Sequence, residues 1–371
     1  MMYANYQRVT NTVLLPLPIL LLALLLNMAF APSSSALQVT GLYSFQIAVS
    51  NESEAERVRA FREALAAVIV KVTGSQRPLE DGNVARALAN AQNYVEAISY
   101  SSELMPVPDA LAVEQRFVNV TFAASLIDEM LTGAGVPIWD SNRPSVLVWM
   151  VLQEVNGERR LLTADGDPAV VALIQRFGTE RGVPVIFPVL DFEDRRSLPL
   201  ESLWNLDQAV ITAASARYGA DSVLSGRLLF TASGELVGLW QFIFQNQATV
   251  FDGFESDLKV YLYNPLERIT TQLADYFAVV PVTTDQNYVL LRVEGIDDLE
   301  AYSSLLNYVR TLGLVRSMVV ETLDGTRLEL ELGLQGDSQQ LLELITLDRD
   351  LTPIASSQGR DPSVLHYRWV R

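Results

Sequence analysis

The sequence predicts a protein of mixed α/β and α+β class, built as three small modules behind an export segment. Three observations carry that reading. An apolar run, "VLLPLPILLLALLL" at 13–26, follows an early Arg8 and precedes Ala29-Phe30-Ala31 and Ser34-Ser35-Ala36. That is the order of charged, apolar and small-residue regions in a secretory signal peptide. Beyond it, short apolar runs alternate with amphipathic helical stripes, the pattern of layered α/β folds. Residues 286–371 give the order β-α-β-β-α-β, a split βαβ.

Residues 1–36 are read as the signal peptide, with cleavage after Ala36 and a periplasmic mature chain. The alternative is an uncleaved inner-membrane anchor through 13–31, which is barely bilayer length and is weakened by Pro16 and Pro18. Of 371 residues, 49% are apolar, enough to build real cores. The net charge of −17 opposes nucleic acid and anionic membrane surfaces, so membrane contact is expected only if the N-terminal segment stays. The absence of cysteine excludes thiol catalysis, disulfides, cysteine metal sites and lipid attachment through a mature N-terminal cysteine.

The first module spans 37–140. "LYSFQIAVS" reads as a strand. Asn51 or Ser53 can cap the next helix, with Glu54 and Glu56 suited to its first turn. Val58, Phe61, Leu65, Val68, Ile69 and Val72 define its buried face, and Gly74 ends it as a left-handed cap. A second helix starts near Asn83 and leads into "NYVEAISY". "VEQRFVNVTF" alternates like a half-buried strand. Leu126, Ile127, Met130 and Leu131 stripe a closing helix that stops at Gly133 and Gly135.

The second module spans 145–280. "SVLVWMVLQEV" is an apolar strand, and Asn156-Gly157 signals a type I′ hairpin back through "RRLLT". A helix covers about 168–181, with Pro168 in its first turn and Leu173, Ile174 and Phe177 inward. "VPVIFPVL" is a short strand, followed by a loop and a helix over 207–218. "DSVLSGRL", "ELVGLWQFIFQ" and "ATVF" are further strands. A last helix falls within 256–278, where Asn264-Pro265 either kinks or starts it.

The third module spans 286–371. "YVLLRVEG" is a strand. Leu299, Tyr302, Leu305, Leu306, Val309 and Leu312 stripe a helix ending at Gly313. "VRSMVVETL" and "TRLELELGL" pair across Asp324-Gly325, 338–347 is a short helix, and "VLHYRWV" is the last strand. The order is ferredoxin-like.

Few residues point to chemistry. His366, the sole histidine, lies in a strand with no partner pattern for a triad and reads as a surface-facing strand residue. The strongest acidic cluster is Asp191, Glu193 and Asp194 in "VLDFEDRR", a loop after a strand. Carboxylates there could share acid/base work or hold a cation, or form a solvated loop balanced by Arg195 and Arg196. There is no phosphate loop, dinucleotide fingerprint or nucleophile elbow, so no catalytic residue, metal or cofactor is assigned. In "RYGADSVLSGRL", Gly219 suits a helix C-cap and Gly226 a close backbone approach within a strand; both are read as structural.

The stretches "FREALAAVIVKVTGSQRPL" (61–79), "VPIWDSNRPSVLVWMVL" (136–152), "FPVLDFED" (187–194) and "SARYGADSVLSGRL" (215–228) together resemble an exported proteobacterial group, domain-of-unknown-function family 2066. That likeness covers roughly 40–280 and implies no activity or site residue. The second module more distantly resembles the α/β domain of TolB's N-terminal part, the curli secretion lipoprotein and the activators of peptidoglycan synthases. It shares their element order and a "GAD-VL-G" strand, and lacks the cysteine of the lipoproteins. The resemblance implies partner binding in the envelope. The expected function is therefore a non-enzymatic accessory factor that binds envelope proteins through sheet edges or apolar patches. The alternatives are a carboxylate-dependent envelope hydrolase, which needs a second carboxylate about 5–9.5 Å from the 191–194 loop, and a periplasmic small-ligand binder between the first two modules.

Overall fold

The computed structural model describes residues 39–105, 112–279, 287–334, 338–347, 350–354 and 364–370. The expected signal peptide, its cleavage site and the alternative anchor at 13–31 lie outside the described residues. Among the described residues no helix is long and apolar enough to cross a membrane. The fold is mixed α/β with three sheets.

The first sheet has strand order β1-β3-β2, from β1 (Ser44–Val49), β2 (Val95–Met105) and β3 (Val113–Phe122), all antiparallel. Helix α1 (Glu54–Thr73) begins at Ser53, whose side chain accepts from the Glu56 amide, and ends at Gly74 with φ 69°. Leu65, Val68, Ile69 and Val72 are fully buried, joined by Ala60 and Ala64. Val58, expected on that face, is 48% exposed, because it lies in the first turns, short of the core under the sheet. Helices α2 (Gly82–Ala89) and α3 (Ala124–Gly133) close the core. Ile127 and Leu131 of α3 are buried, whereas Leu126 faces outward.

The second sheet has order β5-β4-β7-β8-β9, with β6 alongside β4. It is formed by β4 (Val146–Gln153), β5 (Arg159–Leu161), β6 (Val185–Ile186), β7 (Ser222–Phe230), β8 (Leu236–Phe244) and β9 (Gln247–Glu255). β4 is parallel to β6 and β7. Its run is apolar because both faces are covered. Val146, Val148, Met150 and Leu152 pack toward α4 (Pro168–Arg181) and α8 (Leu258–Phe277). Leu147, Trp149 and Val151 pack toward the side of α5 (Phe192–Ser197), α6 (Leu200–Trp204) and α7 (Gln208–Ser215). Helix α8 starts at its Asp257 cap and runs through Pro265, so Asn264-Pro265 does not open it.

Two local expectations need correction. The hairpin at Asn156-Gly157 forms, but only Gly157 has positive φ (86°), and its amide bonds back to the Glu154 carbonyl. That is a turn closed by a left-handed glycine, not type I′, which requires two positive φ values. The pair that does adopt two, at 49° and 62°, is Gln245-Asn246 between β8 and β9. The "DFED" segment is not a loop either. Asp191 caps α5, with its side chain accepting from the Asp194 amide.

The third sheet has order β11-β12-β10-β14-β13, from β10 (Asn287–Glu294), β11 (Val315–Asp324), β12 (Arg327–Leu334), β13 (Leu351–Pro353) and β14 (Val364–Trp369). Helices α9 (Leu299–Thr311) and α10 (Ser338–Leu347) supply the rest of the split βαβ order. One strand departs from that pattern. β14 runs parallel to β10, because the short β13, unread in the sequence, reverses the chain before it. Leu299 is exposed at the start of α9, while Leu305, Leu306, Val309 and Leu312 are buried. The second and third sheets share one continuous core, and the Asn142 side chain donates to the Leu344 carbonyl at 3.2 Å.

Candidate functional site

The acidic cluster folds into a latch. Asp191, Glu193 and Asp194 all face Arg217. Its guanidinium holds Asp191 through two bonds of 2.8 and 2.9 Å and Asp194 at 2.9 Å, with Glu193 at 3.7 Å. Asp194 is buried and also accepts from the Leu190 amide and the Tyr218 hydroxyl. The hydrogen bonds from Arg217 hold the Asp191 carboxyl well below the usual carboxylate range. The three carboxylates thus converge on one guanidinium on the same side of α5, the arrangement of a structural ion-pair cluster. Among the described residues no group of three or more candidate ligands could hold a metal. The latch also fixes Leu190 at φ 58°.

Gly219 ends the turn at Ala216–Tyr218 with φ 59°. Gly226 lies opposite Trp240 across β7 and β8, and a Cβ there would sit 2.6 Å from the Trp240 ring. His366 is largely buried and contacts Glu294 at 3.1 Å.

A second network joins the first two modules. Arg143 is buried and directs all five N–H donors to main-chain carbonyls: Asp140, Trp139 and Lys71 on one side, Arg181 and Gly182 on the other. Arg181 donates to Val70 and Gly74 and pairs with Glu267 at 2.9 Å. The carbonyls of Lys71 and Gly74 at the end of α1, and of Arg181 and Gly182 at the end of α4, which the helices themselves leave open, are thereby satisfied by arginine side chains. Burial pushes both arginines down from their ordinary value.

Beside this joint lies the candidate site, an open groove of about 820 Å³ along β1. Among the described residues β1 pairs only with β3. The Phe122 amide bonds to the Tyr43 carbonyl in register, so alternation turns the main-chain groups of Ser44, Gln46 and Ala48 to the free edge. Two cations of α1 mark the ends of that edge. Arg59 donates to the Ala48 carbonyl at 2.9 Å, and Lys71 to those of Ser44 and Gly41 at 3.0 and 3.3 Å. The far wall is α4, with Arg176, Thr179 and Glu180. A second groove of about 510 Å³ shares Thr40 and Thr179 and continues past Gly178 and Gly182 toward β6. Burial, and then Arg143, lower the Lys71 ammonium to about 8.

Gln46, Arg59 and Arg181 lie in no quoted motif, and Lys71 and Arg143, which do, carry no chemical signature there. One signal was available: Lys71 stands between Val68 and Val72 on the inward stripe of α1, and a cation there must find buried acceptors.

A family model described as Domain of unknown function (DUF8605) matches residues 36–140, the stretch that carries β1 and α1. Its number differs from that of the family the quoted motifs resemble. No curated protein matches the chain. Among solved structures, the LpoB C-terminal domain from Salmonella enterica is 15% identical, covering 36% of this chain and 94% of that one, with a TM-score of 0.23. An uncharacterized protein is 12% identical, covering 36% of this chain and 88% of that one, with a TM-score of 0.16. Likeness at that level carries no argument about function.

Proposed function

We propose that this chain is an exported, non-enzymatic binding protein of the cell envelope, and that it takes up an extended segment of a partner protein as an added strand on β1. The signal-like N-terminus and the likeness of residues 40–280 to the exported family 2066 support the location. One observation carries the binding mode: among the described residues no strand meets the outer edge of β1, where the N–H and C=O of Gln46 and the N–H of Ala48 face the open groove, while the Ser44 N–H turns to Gly41 and the Ser44 and Ala48 carbonyls to Lys71 and Arg59. Strand addition takes its affinity from such groups. The groove is long, open and walled by ion pairs such as Arg59–Glu63 and Arg176–Glu180, which suits a peptide better than a small apolar ligand.

Gln46→Pro tests the reading. It removes an outward N–H while the β1–β3 ladder keeps its own bonds, and proline is tolerated at such edge positions. A photo-crosslinker at Ala48 should capture a defined envelope protein in living cells, and Gln46→Pro should reduce that capture at least about ten-fold with the far-ultraviolet dichroism unchanged. Undiminished capture in a folded Gln46→Pro variant would reject strand addition at β1.

A further inference from the structure

One cation of the groove lining, Lys71, makes no direct ion pair among the described residues, and it specifies the occupant further. Arg59 is matched by Glu56 and Glu63, and Arg176 by Glu180. Lys71 has no carboxylate within ion-pair distance among the described residues. It is 6% exposed, and its ammonium sits 5.2 Å from the Phe45 ring centroid. An ammonium has three donors. Two of them reach Gly41 and Ser44, which leaves a third donor on a side chain that lines the groove. Behind Lys71 stand the buried Arg143 and Arg181; Arg181 is paired with Glu267, and Glu180 on the far wall acts on Lys71 from beyond ion-pair distance. The groove does not stop there. It runs on past Thr40 and Thr179, so a bound segment continues beyond Lys71.

From this we infer that the segment added to β1 carries an acidic side chain, Asp or Glu, within its extended run, and that Lys71 receives that carboxylate as its third hydrogen-bond partner. The inference rests on the strand-addition reading above. The opposite charge beside a partly dry edge favours a charge-assisted bond without displacing the two carbonyls already held.

The test uses fluorescent heptapeptides, acetylated and amidated, with a Thr/Val host and one Glu moved through every position, each with a Gln twin. Polarisation with the mature protein should show one register in which the Glu peptide binds about ten-fold more tightly than its twin. Lys71→Met should abolish that preference while leaving the Gln twin's affinity, and Lys71→Arg should retain it. Gln46→Pro should weaken both twins alike. Equal binding of Glu and Gln twins at every position, or an undiminished preference in Lys71→Met, overturns the role of Lys71 while strand addition stands. Binding only of peptides with a free terminal carboxylate overturns the internal acidic residue in the same way. If no peptide binds, or Gln46→Pro changes nothing, strand addition fails and this inference fails with it. Should Lys71→Met not fold, the comparison of twins in the unmutated protein decides alone.

Discussion

Arg143 shows how much one side chain can carry. Its planar fork meets carbonyls from Trp139, Asp140, Lys71, Arg181 and Gly182 and stacks 4.2 Å over the Trp139 ring. Nothing else described supplies donors to those acceptors in the same geometry. Arg143→Met would keep the apolar stem and leave several buried carbonyls without partners, each costing about 1–3 kcal/mol. We expect a loss of at least about 4 kcal/mol in urea unfolding, with a fall in midpoint. Arg143→Lys should rescue little, since a lysine has three donors and no planar fork. A loss below about 1 kcal/mol in either variant would show that water replaces the guanidinium at this joint.

At the scale of elements, the β8–β9 hairpin offers a sharper test than any catalytic motif. Gln245 and Asn246 both hold positive φ, where only glycine is at ease and asparagine is tolerated. Asn246→Gly keeps the main-chain carbonyl that accepts from the Gln208 side chain. It should raise stability by about 0.5 kcal/mol with an unchanged denaturant slope, and a decrease would show that the asparagine side chain matters. This turn was hidden in the sequence because it lacks glycine, whereas Asn156-Gly157 displayed the signal and formed a different turn. Other elements were plain. Ser53 and Gly74 bracket α1 because cap chemistry is local, and β3 matches its alternating run residue for residue. The short pieces were not plain. β13 has three residues, too few for any period, and α5 and α6 are single turns held by tertiary contacts. The acidic cluster was visible, but its meaning was not. Arg217 lies more than twenty residues away, and only the fold brings it to Asp191 and Asp194.

For the molecule as a whole, several separated stretches of the sequence prove to be bonded to one another. The "NRPS" segment reaches the start of "KVTG" through Arg143 and "GAD" through Ser145, whose hydroxyl donates to Asp221 at 2.7 Å. "FPVLDFED" is tied to "ARYGAD" by the Asp191–Arg217 pair. These contacts are a set of joints. The second and third sheets go further and share a single core, and residues 36–371 cluster as one compact unit. Three modules joined in this way should unfold together, because opening any one exposes apolar or polar groups buried by the next. Trp139, Trp149, Trp204, Trp240 and Trp369 all lie in the cores of the second and third sheets, so their fluorescence reports on those. Amide exchange along α1 reports on the first sheet. In the mature protein both should give the same midpoint and the same free energy of opening. In Arg143→Met, α1 should open first, since its tie to α4 is cut while the shared core remains. If α1 already exchanges through a separate, lower-energy opening in the unmutated protein, the wall of the β1 groove moves independently of α4. The fixed spacing on which strand addition at that groove depends would then be lost.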